Sequence, residues 1–127
     1  MSKVETNSVI HEMKDGIMYL YIKPGMPNIK DIKESTDYLK SLDQQLLIYC
    51  DPTDATVLEK QQRKFLADEL EDIVIAFAMK EVNLLSKLVY NFVSKILQPK
   101  FHFKLFSEEE EAIVWLKKIS QPHSAAS

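Results

Sequence analysis

Residues 46–50 read LLIYC, a continuous apolar run that Asp51 and Pro52 bring to an end. A strand that is buried on both faces has this pattern, because none of its side chains meets water. Residues 73–79, IVIAFAM, repeat the pattern after an intervening segment with helical spacing. Two such runs predict neighbouring parallel strands joined by a crossover helix.

The segment before this pair predicts an antiparallel hairpin. Residues 8–14 and 17–23 are rich in β-prone side chains, and Asp15-Gly16 lies between them. An Asp-Gly pair between two strands is typical of a tight hairpin turn. Pro24 and Pro27 then end the strand, because proline donates no backbone hydrogen bond and has a fixed φ. Residues 1–7 are polar, and we expect them to be frayed.

Four segments carry apolar residues at helical spacing. They cover residues 29–42, 57–71, 83–97 and the stretch from 108 onward, and an alternating pattern at 101–105 predicts one more strand. The order is therefore β-β-α-β-α-β-α-β-α. It predicts a single α/β domain over residues 8–120, with a mixed five-stranded sheet, four helices and flexible termini at 1–7 and 121–127.

Composition excludes several classes of function. The chain has 127 residues and a formal net charge of -3, from 16 basic and 19 acidic side chains, which argues against a general nucleic-acid binder. Its two glycines, Gly16 and Gly25, are too far apart to form a phosphate-cradling loop, so we expect no nucleotide cofactor. No apolar run reaches the roughly 20 residues of a membrane span, and no signal peptide is evident, so we expect a cytoplasmic protein.

The carboxylate run Glu108–Glu111 is interpreted as the start of a helix. Ser107 stands where an N-cap should be, and Glu110 follows three residues later, as in a capping box. Carboxylates in the first turn and Lys117 and Lys118 in the last turn match the helix dipole. Consecutive helical residues point about 100° apart, so the run is a poor candidate for paired catalytic acids.

The remaining reactive side chains give no catalytic or metal-binding set. Cys50 has no neighbouring histidine in sequence, so a buried structural cysteine is favoured over a nucleophile. His11, His102 and His123 are far apart in sequence, and we expect ordinary surface or edge histidines rather than metal ligands. An enzyme is therefore the least favoured class of function.

The C-terminal half carries a family resemblance. Residues 84–97 (LLSKLVYNFVSKIL), then Pro99-Lys100-Phe101, then residues 104–118 (KLFSEEEEAIVWLKK) resemble the SpoIIAA-like, or STAS-like, family. The resemblance extends more loosely over about residues 8–118. It implies a STAS-like fold and regulation or binding by protein contact, as in anti-sigma-factor antagonists. More distantly, the chain is similar to the CRAL-TRIO lipid-transfer fold.

One feature of that family has no match in this chain. In the antagonists, a partner kinase phosphorylates a serine at the start of the helix after the third strand. The matching position lies near Lys60 or Gln61, and neither residue has a hydroxyl group. Thr53 and Thr56 belong to the preceding loop or to the helix cap, so the resemblance implies no phosphorylatable serine here.

Two groups of residues are the candidate partner or ligand surface. The first follows the buried strand at 46–50, where turn and N-cap chemistry is the simpler explanation. The second lies on the helix at 83–97, whose wide apolar face could be core, a protein interface or the wall of a ligand pocket. The residues are Asp51, Thr53, Asp54, Thr56, Lys60 and Arg63 in the first group, and Leu85, Lys87, Val89 and Phe92 in the second.

The function predicted is that of a non-catalytic intracellular regulatory or binding module. It would act through contact with a protein partner or a second copy of itself. The alternative is a carrier or sensor of a small lipophilic or anionic ligand, bound beside the helix at 83–97.

Overall fold

The computed structural model describes residues 3–25, 28–52, 59–81 and 100–120. They form six strands and three helices in an α/β arrangement. The helix expected at 83–97 lies outside the described residues. The strands are β1 Lys3–Glu5, β2 Val9–Lys14, β3 Ile17–Ile22, β4 Leu46–Asp51, β5 Val74–Lys80 and β6 His102–Phe106, and the helices are α1 Ile29–Ser41, α2 Lys60–Leu70 and α3 Glu109–Ser120.

All six strands belong to one mixed sheet, in the spatial order β1-β2-β3-β4-β5-β6. The first three strands pair antiparallel, and β3 to β6 pair parallel. The mixed α/β sheet predicted from the sequence is therefore confirmed, but the described residues form six strands rather than five. The additional strand is β1, which forms within the stretch expected to be frayed.

The hairpin between β2 and β3 has the turn that its sequence predicts. Asp15 and Gly16 both have positive φ, at 51° and 81°. This is the backbone of a type I′ turn, whose twist matches that of the flanking strands. Asp-Gly favours this turn because both residues tolerate the left-handed region better than most.

Strand alternation divides the core into two layers. On one face of the sheet, Leu39 and Leu70 from α1 and α2 pack against residues such as Met18, Ile48 and Phe77. On the other face, α3 supplies Ala112 and Leu116. Their partners on the sheet are Ile17, Tyr19, Leu47, Tyr49, Ala76 and Ala78. β4 is buried along residues 46–50, as its uniformly apolar sequence predicts.

Helix α1 buries Thr36, which lies on its predicted apolar stripe, and also Ser35, which does not. Ser35 and Thr36 are buried together with Ile32 and Leu39, whereas Ile29, expected to face inward, is 41% exposed. The helix begins with a capping box, in which the Asn28 side chain accepts a hydrogen bond from the Asp31 amide at 2.8 Å. The predicted stripe is therefore buried at Ile32, Thr36 and Leu39 and departs from the prediction at Ile29.

Helix α3 confirms the structural interpretation of the carboxylate run, with one correction. Its first backbone hydrogen bond runs from the Ala112 amide to the Glu108 carbonyl, at 3.3 Å. The N-cap is therefore Glu108, one residue later than the predicted Ser107. The four glutamates are exposed, and Lys117 and Lys118 lie in the last turn.

Candidate functional site

Three of the ten candidate surface residues can be placed in the structure: Asp51, Lys60 and Arg63. Asp51 is the last residue of β4 and is half-buried, Lys60 is exposed, and Arg63 is half-buried. The other seven lie outside the described residues. They are Thr53, Asp54, Thr56, Leu85, Lys87, Val89 and Phe92.

The parallel strands bring Asp51 and Lys60 to the same side of the sheet. β3 to β6 all end at one edge, which we call the carboxyl edge, defined by Tyr21, Asp51, Lys80 and Phe106. α2 follows β4 in the chain and α3 follows β6, so both helices begin at this edge. In open α/β sheets, ligands usually bind at the carboxyl ends of the strands.

The first turn of α2 is ordered by its own side chains. The Gln62 side chain is buried and accepts a hydrogen bond from the Glu59 amide at 2.9 Å, and the Arg63 amide donates to the Glu59 carbonyl at 2.9 Å. Lys60 and Gln61, which match the position of the phosphorylated serine in the resembled family, are exposed in this turn. The turn presents a cation and an amide to solvent, with no hydroxyl group.

A tyrosine cluster lies under the α3 side of the sheet near the carboxyl edge. The rings of Tyr19 and Tyr49 meet edge to face, with centroids 5.6 Å apart, and Lys14 Nζ lies 4.2 Å from the centroid of Tyr19. The Tyr49 hydroxyl is buried and has no hydrogen-bond partner among the described residues. Burial, followed by the negative charges of Asp51 and Glu109, holds the pKa of Tyr49 well above its usual range.

Replacing Tyr49 by phenylalanine is expected to stabilise the protein. A buried hydroxyl without a partner costs about 1–3 kcal/mol of desolvation, so its removal should raise the free energy of unfolding by about 1 kcal/mol. Urea unfolding of the two proteins measures the difference. Tyr21→Phe is the matched control: the Tyr21 hydroxyl is not a buried group without a partner and lies near the Lys14 charge, so its loss should not stabilise. A loss of stability in Tyr49→Phe would show that the hydroxyl has a partner.

Cys50 is the buried structural cysteine that the sequence favours. Its side chain lies in the core beneath α1 and α2, and burial, then the neighbouring Asp51, raises the pKa of its thiol to about 12. Only the thiolate is strongly nucleophilic, so this thiol has little reactivity at neutral pH.

His11 corrects an expectation. It is fully buried rather than on the surface or at an edge. Nδ1 lies 2.9 Å from the Val4 carbonyl and Nε2 lies 2.7 Å from Ser35 Oγ, while the Tyr38 ring packs edge-on with its centroid 4.8 Å away. A carbonyl can only accept, so Nδ1 carries the proton and the Ser35 hydroxyl donates to Nε2.

The His11 side chain therefore joins β1, β2 and α1. Burial lowers its pKa below the usual value, although the Val4 carbonyl and Glu34 oppose that shift. One signal in the sequence could have found it: His11 alternates with Val9 and Met13 on β2, on the side that faces the core. His102 is exposed, as expected, and His123 lies outside the described residues.

Two features are absent from the described ranges of the chain. No group of three or more His, Cys, Asp or Glu residues there could hold a metal ion. None of the helices in those ranges is both long enough and apolar enough to cross a membrane.

Comparison with known proteins places the chain in a family. The profile of the family described as "Domain of unknown function (DUF7793)" matches residues 11–120. The chain belongs to this family. No curated protein matches it.

The fold also matches a solved structure. It is similar to the crystal structure of an uncharacterized protein of the DUF3478 family from Shewanella loihica PV-4, described as having a SpoIIAA-like fold. The TM-score is 0.64 with 20% sequence identity, over 91% of this chain and 98% of the other. The SpoIIAA-like fold inferred from the sequence is therefore confirmed. The similarity extends to the fold alone.

Proposed function

We propose that this protein is a non-catalytic intracellular binding module that acts through protein contact at the carboxyl edge, next to the first turn of α2. Its SpoIIAA-like fold supports this function, because the resembled antagonists present this region of the fold to a partner protein. The exposed first turn of α2, which begins with Lys60, is the observation that carries the proposal.

The chemistry of the described residues fits contact better than catalysis. The Cys50 thiol is protonated and buried, and both ring nitrogens of His11 are used in hydrogen bonds. Neither side chain is available to a substrate, so the described residues bring no nucleophile and base together at the edge. Lys60, by contrast, is exposed and could form an ion pair with an acidic residue of a partner.

A pair of charge reversals tests the location of the contact. Lys60→Glu should weaken capture of the partner from a lysate of the source organism about tenfold or more, because it places a like charge against an acidic surface. Lys118→Glu is the matched control: it is also an exposed helical lysine, but α3 lies on the opposite face of the sheet. Equal capture by the wild type and both variants would contradict the proposed surface.

The serine-free switch position supplies a second test. We expect no phosphate on the protein after incubation with ATP and the same lysate, since Lys60 and Gln61 have no hydroxyl group. Intact-mass spectrometry measures the result. Stoichiometric phosphorylation of Thr53 or Thr56 would instead indicate a switch displaced into the preceding loop.

Native mass spectrometry separates this function from that of a ligand carrier. A contact module should be free of any stoichiometric small molecule after purification. A reproducible added mass of a few hundred daltons or so, the size of a drug-like ligand that fills a pocket, would favour the carrier.

A further inference from the structure

The first strand of the sheet has no neighbour on its outer side among the described residues. β1 is the end strand of the described sheet and pairs with β2 through Val4 opposite His11. An end strand presents backbone N–H and C=O groups that can pair with another chain. Lys3 and Glu5 are exposed and Val4 is half-buried.

The backbone register determines which residues face this outer side. The Thr6 amide donates to the Val9 carbonyl at 2.8 Å, so Thr6 and Val9 form a hydrogen-bonded pair. Such pairs alternate along an antiparallel ladder, and Val4 with His11 is therefore the next one. The Val4 backbone is used within the sheet, while the backbone groups of Lys3 and Glu5 point outward.

The β2–β3 ladder gives the same assignment independently. The Lys23 amide donates to the Ser8 carbonyl at 2.9 Å, so the Ser8 backbone points toward β3. By alternation Ile10 also points toward β3, and Val9 and His11 point toward β1. Both ladders therefore leave the amides and carbonyls of Lys3 and Glu5 for a strand added to the outer side.

The three residues of β1 are complementary to a second copy of themselves. In an antiparallel pair related by a two-fold axis through Val4, Lys3 of each copy lies directly opposite Glu5 of the other. The symmetry therefore gives two such pairs. Their outward backbone groups would form the hydrogen-bonded pairs, and the two Val4 side chains would meet in the closer, non-hydrogen-bonded pair. If the two-fold axis moves by one residue, it passes through Lys3 or Glu5 and places that residue opposite the same residue of the second copy. These like charges repel each other, so charge favours the register centred on Val4.

The opposite end of the sheet lacks this complementarity. The Glu81 amide donates to the Phe106 carbonyl at 2.7 Å, so Phe106 and, by alternation, Lys104 point toward β5. In a two-fold antiparallel pair of β6, Lys104 would meet Lys104 of the second copy. A pair centred on Phe103 would instead set His102 against Lys104. Lysine on an end strand is a common barrier to such pairing.

Lys23 and helix α1 both hold β1 and the turn that follows it in place. Lys23 Nζ donates to the Thr6 carbonyl at 2.9 Å and also pairs with Glu5, whose side chain remains 63% exposed. The Asn7 amide donates to Glu34 on α1 at 3.0 Å, and the Asn7 side chain donates to Asp31 at 2.7 Å. A strand that is already fixed loses less conformational entropy when a second strand binds.

From this geometry we infer that β1 is a dimerisation strand, which pairs antiparallel with β1 of a second copy and joins two sheets into one. The surface is separate from the first turn of α2, so the inference does not depend on the proposed function. The interface has three residues on each side, so the dimer is weak, with a dissociation constant on the order of 0.1 mM.

A charge swap tests the inference in the full chain. Sedimentation of the wild type from about 10 μM to about 1 mM should show a monomer–dimer equilibrium. Lys3→Glu and Glu5→Lys should each weaken dimerisation about tenfold or more, because both cross-strand pairs become repulsive. The double variant reverses both charges and should recover the wild-type affinity within about threefold. Lys23→Gln removes the ion pair that Glu5 makes within the chain, and so separates the loss of that contact from the loss of the cross-strand pairs.

Amide hydrogen exchange supplies a second measurement that needs no variant. The Lys3 and Glu5 amides should become protected as the wild-type concentration rises, while the Val4 amide, bonded to β2 in both states, should change little. A monomer throughout the concentration range, single variants that dimerise like the wild type, a double variant that does not recover, or Lys3 and Glu5 amides that stay unprotected would each overturn the inference.

Discussion

Replacing Ile48 by alanine is expected to lower the free energy of unfolding by about 3–4 kcal/mol. Ile48 is fully buried at the middle of β4 and packs in the core layer beneath α1 and α2. β4 is bonded to β3 on one side and to β5 on the other, so neither neighbour can move in to fill the space. The loss therefore includes both the transfer energy of the side chain and the cost of a cavity.

Ile75 provides the control for this prediction. It is also an isoleucine of a central strand, one strand away in β5, but its side chain is 36% exposed. Ile75→Ala should cost clearly less, about 1 kcal/mol, because part of the side chain already meets water. Urea unfolding of both variants measures the two losses. Equal losses would contradict the assignment of Ile48 to the core and Ile75 to the surface.

The parallel part of the fold could be predicted because its signal is local. Residues 46–50 and 74–79 are uniformly apolar, and in the structure both runs are interior strands of the sheet. The hairpin turn at Asp15-Gly16 is equally local, since its backbone depends on those two residues. In each case the residues that determine the structure are neighbours in sequence, so a pattern of a few positions is sufficient.

Two features could not be predicted from the apolar pattern: the short strand β1, and the contact on α1 that satisfies His11. β1 has three residues, two of them charged, and it is a strand because Val4 pairs with His11. His11 itself is buried because a hydroxyl group 24 residues later, on Ser35, satisfies its second ring nitrogen. Alternation with Val9 and Met13 places His11 on the core side of β2, but nothing near it in sequence indicates that Ser35 will satisfy its ring.

The candidate site was likewise predicted only in part. The sequence places Asp51 at the end of a buried strand and Lys60 in the next helix, and the parallel topology then brings both to the carboxyl edge. The Tyr49 hydroxyl was missed because LLIYC predicts burial of the whole strand without indicating whether a polar tip finds a partner. Satisfaction of a hydrogen bond is a property of three-dimensional packing.

Acidification from pH 7.5 to pH 5.5 is expected to destabilise the protein through His11. Burial lowers the pKa of His11 in the folded state, whereas in the unfolded chain it returns to about 6.5. As the pH falls below about 6.5, the unfolded chain binds a proton at this site more readily than the folded protein does. The stabilising contribution of neutral His11 is thus present above pH 6.5 and is lost progressively below it, at up to about 1.4 kcal/mol per pH unit.

His11→Gln isolates this effect. The glutamine amide can donate to the Val4 carbonyl and accept from the Ser35 hydroxyl, but it cannot be protonated in this range. The variant should lose less stability between pH 7.5 and 5.5 than the wild type, whatever its stability at neutral pH. His102→Gln, an exposed histidine of β6, should keep the wild-type pH dependence. Urea unfolding at several pH values measures all three proteins, and parallel curves for wild type and His11→Gln would mean that His11 is not the group that titrates.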